Sequence, residues 1–271
     1  MAISLSSITT EAQTRAPRIV LLGVEKIGKS SFACGSTVEN GHVVSYGANA
    51  PVVISVKGEE GTDAFPVAKF PVAKTFEDVL DEVAAIYRED HPYKTVVIDS
   101  ASALEPVIWD KLCRDTGAPS IEKVGGGFGK GYIEAVNLWR KLLVGLDALR
   151  EKKNMASIII GHVKVKSVNN PDTDLYDAYQ FDINDRASNL LYRWADLILF
   201  ANVKVAVKKS DDGVGEKARA IDITNGQRFL YTQKRPSHPG GGRGIYGALP
   251  YELPFDWTSF MAAVRSLTTN K

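Results

Sequence analysis

Near its start the chain carries Gly23-Val24-Glu25-Lys26-Ile27-Gly28-Lys29-Ser30, followed by Ser31. These residues match G-x-x-x-x-G-K-[ST] at every fixed position. The motif constrains the fold strongly, because it works only as the turn between a buried strand and a helix. Both flanks fit. Arg18–Leu22 is a short apolar run ending in Gly23, the pattern of a strand covered on both faces in a parallel sheet. Ser30 to about Glu39 reads as the helix, with Asn40-Gly41 as its stop. Glycines let main-chain N–H groups turn inward around phosphate oxygens, and a helix N-terminus adds a favourable potential. Lys29 is placed to reach the β- and γ-phosphates of a nucleotide, and Ser30 to offer its hydroxyl to Mg2+.

Further along, Val52–Val56 reads as a second strand. A helix then follows with Phe76, Val79, Leu80, Val83, Ile86 and Tyr87 on one face and Thr75 as its N-cap. Thr95-Val96-Val97-Ile98-Asp99-Ser100 is an apolar strand ending in a carboxylate. Asp99 there is expected to hold the water shell of the magnesium. Ser157–Ile160 and Leu197–Phe200 are further strands. Lys204–Lys208, about Ala218–Ile223 and Phe229–Gln233 then read as an antiparallel meander with Asp212-Gly213 and Asn225-Gly226 at its turns. Alternating strands and helices followed by a meander predict an α/β fold. Its central sheet is mostly parallel, with helices around it and antiparallel strands at the C-terminal end.

The 33 basic and 32 acidic residues nearly cancel, which excludes capture of nucleic acid by a global basic field. Any such contact must be local. The longest apolar stretches are strand-sized, so no membrane partner is expected. Two cysteines, Cys34 and Cys113, make no disulfide framework and fit a reducing cytoplasm.

Val97-Ile98-Asp99-Ser100-Ala101-Ser102-Ala103-Leu104-Glu105-Pro106 resembles the RecA segment V-V-D-S-V-A-A-L-x-P, and a helix ending in Arg140-Lys141-Leu142 follows. The order of features is most similar to that of phage Sak-type, RecA-like single-strand annealing ATPases. It runs from phosphate loop and Glu-Gly turn through Asp-Ser strand and Gly-His strand end to a Trp-Ala-Asp strand and a C-terminal Leu-Pro segment. Residues 1–17, rich in Ser, Thr and Ala without a period, read as a flexible arm, and with no internal repeat or long linker residues 18–271 read as a single domain, which the resemblance makes a RecA-like ATPase domain. The resemblance also implies ATP and Mg2+ as cofactors, and no guanine-reading motif stands against ATP.

The same resemblance assigns roles. In Gly58-Glu59-Glu60-Gly61 an acidic residue activates the attacking water; Glu60 fits best because it precedes the glycine, with Glu59 as runner-up. His162, after Ile160-Gly161, takes the place of a residue that senses the γ-phosphate. Two DNA loops are implied: Gly117–Gly131 with Lys123 and Lys130, and Val163–Arg186 with Lys164 and Lys166. Lys234, Arg235 and Arg243 are implied to reach a neighbouring subunit's nucleotide. The expected partners are single-stranded DNA, further copies of the chain in a ring or filament, and a single-strand-binding protein or other recombination component. The expected location is the cytoplasm, that of the bacterial host for a phage-encoded chain. Two rivals share the loop: a nucleotide-switched helicase loader, and a small-molecule kinase.

Overall fold

The computed structural model describes residues 8–10, 15–39, 42–59, 61–172, 174–209, 218–222 and 226–269. Strand β1 (Arg18–Gly23) is buried from Ile19 onward and runs directly into the phosphate loop. Helix α1 (Lys29–Ala33) follows and has only five residues. The longer helix expected as far as Glu39 does not form. Gly35 takes a φ of +64°, and a Cβ there would collide with Asn49. The β-branched pair Thr37-Val38 then enters β2 (Thr37–Glu39), which pairs with β3 (His42–Ser45). The expected stop at Asn40-Gly41 lies outside the described residues.

Strands β4 (Pro51–Ser55) and β5 (Ala68–Lys69) come next. Helix α2 (Phe76–Arg88) lies where the periodicity puts it. Thr75 and Asp78 cap each other's backbone reciprocally, while Phe76, Val79, Val83 and Ile86 are buried. Strand β6 (Thr95–Asp99) leads into α3 (Ala101–Thr116), capped by the Ser100 hydroxyl. A 3-10 turn, Ile121–Gly126, precedes α4 (Lys130–Lys153) and β7 (Ala156–Gly161). The second expected DNA loop is in fact a hairpin, β8 (Val163–Val168) and β9 (Tyr176–Phe181), followed by α5 (Asp185–Trp194). The chain closes with β10 (Leu197–Val203), β11 (Val205–Lys209), β12 (Ala218–Asp222), β13 (Arg228–Tyr231), β14 (Gly241–Gly242), β15 (Glu252–Pro254) and α6 (Trp257–Thr269).

The central sheet has the order β15-β13-β10-β1-β7-β6-β4-β5, with β14 also on β10. The stretch from β10 to β5 is parallel, and β13, β14 and β15 join antiparallel. This is the mostly parallel α/β architecture with C-terminal antiparallel strands. One detail differs from expectation: β11 and β12 pair with each other, and β13 returns to the main sheet beside β10. The three do not form one meander.

Alternation along β1 explains its central place. Val20 and Leu22 face a core that includes Phe76, Ile98, Trp139 and Leu146 under α2, α3 and α4. Ile19 and Leu21 face the opposite core of Phe32, Leu199, Phe255, Trp257 and Phe260, under α1 and α6. Each side chain of this size contributes about 1.5–3 kcal/mol when fully buried. The strand register sets Gly23, Asp99 and Gly161 at one edge of the sheet. At the other edge Arg18 is paired with Asp196 at 3.0 Å and Asp147 at 3.2 Å. No helix among the described residues is long and apolar enough to cross a membrane.

Candidate functional site

The phosphate loop spans Gly23 to Ser30 between β1 and α1, with Lys26 and Gly28 in positive-φ conformations. Gly28 is the residue before the helix, at φ +104°. A five-residue helix carries little macrodipole, so the loop amides and Lys29 supply most of the positive potential that was expected partly from the helix. Lys29 is 5% exposed, and its ammonium donates to the carbonyls of Gly23 at 3.0 Å and Val24 at 2.9 Å. Burial lowers its pKa to about 8 against the pull of Asp99, Glu59 and Glu25.

Asp99, at the end of β6, accepts a hydrogen bond from the Ser30 hydroxyl. Burial nevertheless raises its pKa to about 6. Gly61 lies against this pair, where a Cβ would stand 3.1 Å from Ser30 Oγ and 4.0 Å from Asp99 Oδ2. A hydroxyl and a carboxylate beside a cradle that only a glycine leaves open are a hard-oxygen donor set suited to magnesium.

Glu59 comes to the same place from the turn after β4. Its Oε1 accepts from Ser100 Oγ at 2.7 Å and from His162 Nε2 at 2.9 Å. Burial pushes this carboxyl up, but the hydrogen bonds from His162 and Ser100 and the charge of Lys29 win, and it stays below the usual carboxylate range. Because a carboxylate only accepts, His162 Nε2 carries the proton. Its Nδ1, 3.4 Å from Lys29 Nζ, is the acceptor. Ser100, Glu59, His162 and Lys29 therefore form one continuous chain of hydrogen-bonding groups, ending on the loop carbonyls. The preferred acidic residue, Glu60, lies outside the described residues; the runner-up, Glu59, is the one seen in the cluster.

The remaining expected residues do not converge here. Lys123 and Lys130 are exposed on the glycine-rich segment, with Phe128 fully exposed between them. Lys164 is paired with Asp182 at 2.8 Å and Lys166 with Asp185 at 2.7 Å. Lys234 and Arg235 are exposed, the guanidinium of Arg235 lying 4.2 Å over the Tyr251 ring. Arg243 donates to the Arg193 carbonyl beside Asp196, at the sheet edge opposite the phosphate loop.

The sequence reading missed two groups. Ser100 stands in the sequence motif only as the neighbour of Asp99, yet its hydroxyl donates to Glu59 Oε1. Arg228 belongs to no motif in the sequence, yet its Nη1 donates to the Ile27 carbonyl of the loop at 2.9 Å. They are 201 residues apart, and no local pattern announces the contact.

A phosphate loop closed by Lys29, with Ser30 and Asp99 beside it on a mostly parallel sheet, defines a P-loop nucleotide-binding protein. More particularly, the chain belongs to the AAA domain family, whose model matches residues 15–244. Among solved structures it is similar to the RadB recombinase at 16% identity, with a TM-score of 0.39, over 78% of this chain and 89% of that one. No curated protein matches the chain.

Proposed function

We propose that the protein is a magnesium-dependent, RecA-like ATPase that works with single-stranded DNA in recombination or strand annealing of the phage Sak kind. One observation carries the hydrolytic part: an ionised Glu59, held by His162 and Ser100, stands in one hydrogen-bonded chain with the phosphate-loop lysine. Phosphoryl transfer asks mainly for positioning and charge stabilisation. Lys29 leaves the carbonyls of Gly23 and Val24 for the β- and γ-phosphate oxygens. Glu59 orients the attacking water, and the Nε2–H of His162 holds the Glu59 carboxylate in place. Ser30 and Asp99 would hold a magnesium ion, which when bound would neutralise phosphate charge.

The DNA part is supported by Phe128, which offers an exposed ring between two exposed lysines, the pairing of stacking face and cation that single strands favour. On this reading residues 18–271 form one ATPase domain, subunits assemble in a ring or filament, and the protein works in the cytoplasm. The helicase-loader reading expects a helical lid after the sheet. Among the described residues the region after β10 is mainly strands, with a 3-10 turn at Gly244–Ala248 and α6 at the end.

The test is hydrolysis of ATP with and without single-stranded oligonucleotide, alongside calorimetry on wild type and Lys29→Ala. ATP binding is expected for wild type and absent for the variant, and turnover is expected to rise with DNA. Tight ATP binding by Lys29→Ala contradicts the loop assignment. Turnover that ignores saturating DNA at low salt removes the DNA-coupled part.

A further inference from the structure

The phosphate loop is gripped from outside by a residue far away in the chain. Arg228 opens β13, whose pairing of Arg228 with Val203 fixes its backbone. Its main-chain carbonyl accepts from Phe255 N at 3.1 Å, and its guanidinium lies 5.9 Å from the Phe255 ring. The Phe255 ring stacks on Phe32 of α1 at 4.9 Å. From this support Nη1 donates to Ile27 O at 2.9 Å. The same nitrogen lies 2.6 Å from where a Cβ on Gly28 would stand. The guanidinium therefore occupies the outer face of the Ile27–Gly28 peptide.

The geometry of a peptide unit turns this contact into a directional device. In a trans peptide the C=O of one residue and the N–H of the next point in opposite directions. The bond between Asp99 and Ser100 is the one cis peptide among the described residues, so Ile27–Gly28 is trans. Holding the Ile27 carbonyl toward Arg228 turns the Gly28 N–H away from it. A charged donor on the carbonyl also polarises the amide and strengthens its N–H as a donor.

We infer that Arg228 is a positioning residue for nucleotide binding: by gripping the Ile27 carbonyl it aims and strengthens the Gly28 N–H for the phosphates common to ADP and ATP. The inference rests on the reading of the loop as a nucleotide site. Loop amides cradle the α- and β-phosphates. Loss of the clamp therefore weakens ADP and ATP by the same factor and leaves the chemical step, which uses Glu59 and His162, nearly unchanged.

The experiment compares wild type with Arg228→Ala, Arg228→Lys and Arg228→Met by ADP and ATP calorimetry, steady-state hydrolysis and thermal melting without nucleotide. Arg228→Ala and Arg228→Met are expected to raise both dissociation constants and KM about ten-fold, with kcat within about three-fold. Arg228→Lys, which keeps a charged donor, is expected to recover a substantial part. Met retains the aliphatic packing, so its failure to recover separates the hydrogen bond from bulk. Three results overturn the inference. Nucleotide affinity unchanged in Arg228→Ala, with or without a fall in melting temperature, makes the residue structural only. A loss for ATP with none for ADP makes it a γ-phosphate contact instead. Recovery by Met equal to that by Lys removes the hydrogen bond as the cause. If wild type binds neither nucleotide, the nucleotide-site reading itself falls and the clamp with it; if wild type binds and only the variant comparison fails, the clamp alone falls.

Discussion

The phosphate-loop end of the sheet and the rim formed by the glycine-rich segment with the β8–β9 hairpin both carry charged residues that a sequence reading singles out. They use charge in opposite ways. Around the loop, Lys29 and Asp99 are buried and Glu59 and His162 half-buried; Ser100, Glu59, His162 and Lys29 form one hydrogen-bonded chain, with Ser30 on Asp99 beside it. On the rim, Lys164 and Lys166 are answered by local aspartates, while Lys123 and Lys130 stand in solvent. Buried charge is costly unless it is paired, so the first arrangement persists only with well-placed partners. Surface pairs contribute little to stability.

The largest expected effect tests the buried end. Glu59→Gln keeps the shape but removes the charge that His162 and Ser100 hold. ATP should still bind, while turnover falls about 100-fold or more. Glu60→Gln should change turnover by less than about three-fold. The reverse ranking in single-turnover hydrolysis would move the base to Glu60 and leave Glu59 as a structural acceptor.

The rim should respond more weakly and unevenly. Lys123→Ala with Lys130→Ala is expected to weaken single-strand binding about ten-fold at low salt. It should also flatten the salt dependence by about 1.4 in log–log slope, two phosphate contacts' worth. Lys164→Ala with Lys166→Ala should change the slope far less, because those lysines already hold carboxylates. Equal slopes from fluorescence titration of the two double variants would erase the distinction between free and paired lysines.

The smallest effect concerns one exception on the rim. Glu105 is 5% exposed, and both its oxygens lie within 2.9 Å of the Asn184 N–H. Burial raises its pKa from 4.5 to about 7. The folded chain thus keeps this proton up to about pH 7, while the unfolded chain releases it near 4.5, so stability falls as pH rises between those values. Glu105→Gln should stabilise the fold by about 1 kcal/mol at pH 8, after allowing for one lost acceptor oxygen, and lose that gain at pH 4. Melting curves that show no gain at pH 8 would mean that Glu105 holds no proton in the fold.

Legibility in the sequence followed the reach of the interactions. The loop residues, the strand end at Asp99 and the α2 helix rest on local pattern: fixed spacing, a buried run, a reciprocal cap. They lie where pattern reasoning puts them. The helix expected to Glu39 stops at Ala33 because Gly35 and the β-branched Thr37-Val38 break it. The β8–β9 hairpin departs from the loop that the family resemblance implies: its short strands, VKVKSV and YDAYQF, pair with each other and not with the central sheet. Ser100 and Arg228 gave no signal at all. One acts across the sheet edge on Glu59, the other across most of the chain on Ile27, and no window of neighbouring residues contains both partners.

The five-residue α1 leans on Phe255 and Trp257 through Phe32, and the loop before it leans on Arg228. During synthesis the motif leaves the ribosome early, while Arg228 follows 201 residues after Ile27 and Phe255 later still. A nascent chain would display its glycine-lysine signature long before those residues exist. The outer support of the loop is therefore assembled only after β13 and the segment carrying Phe255 have been made.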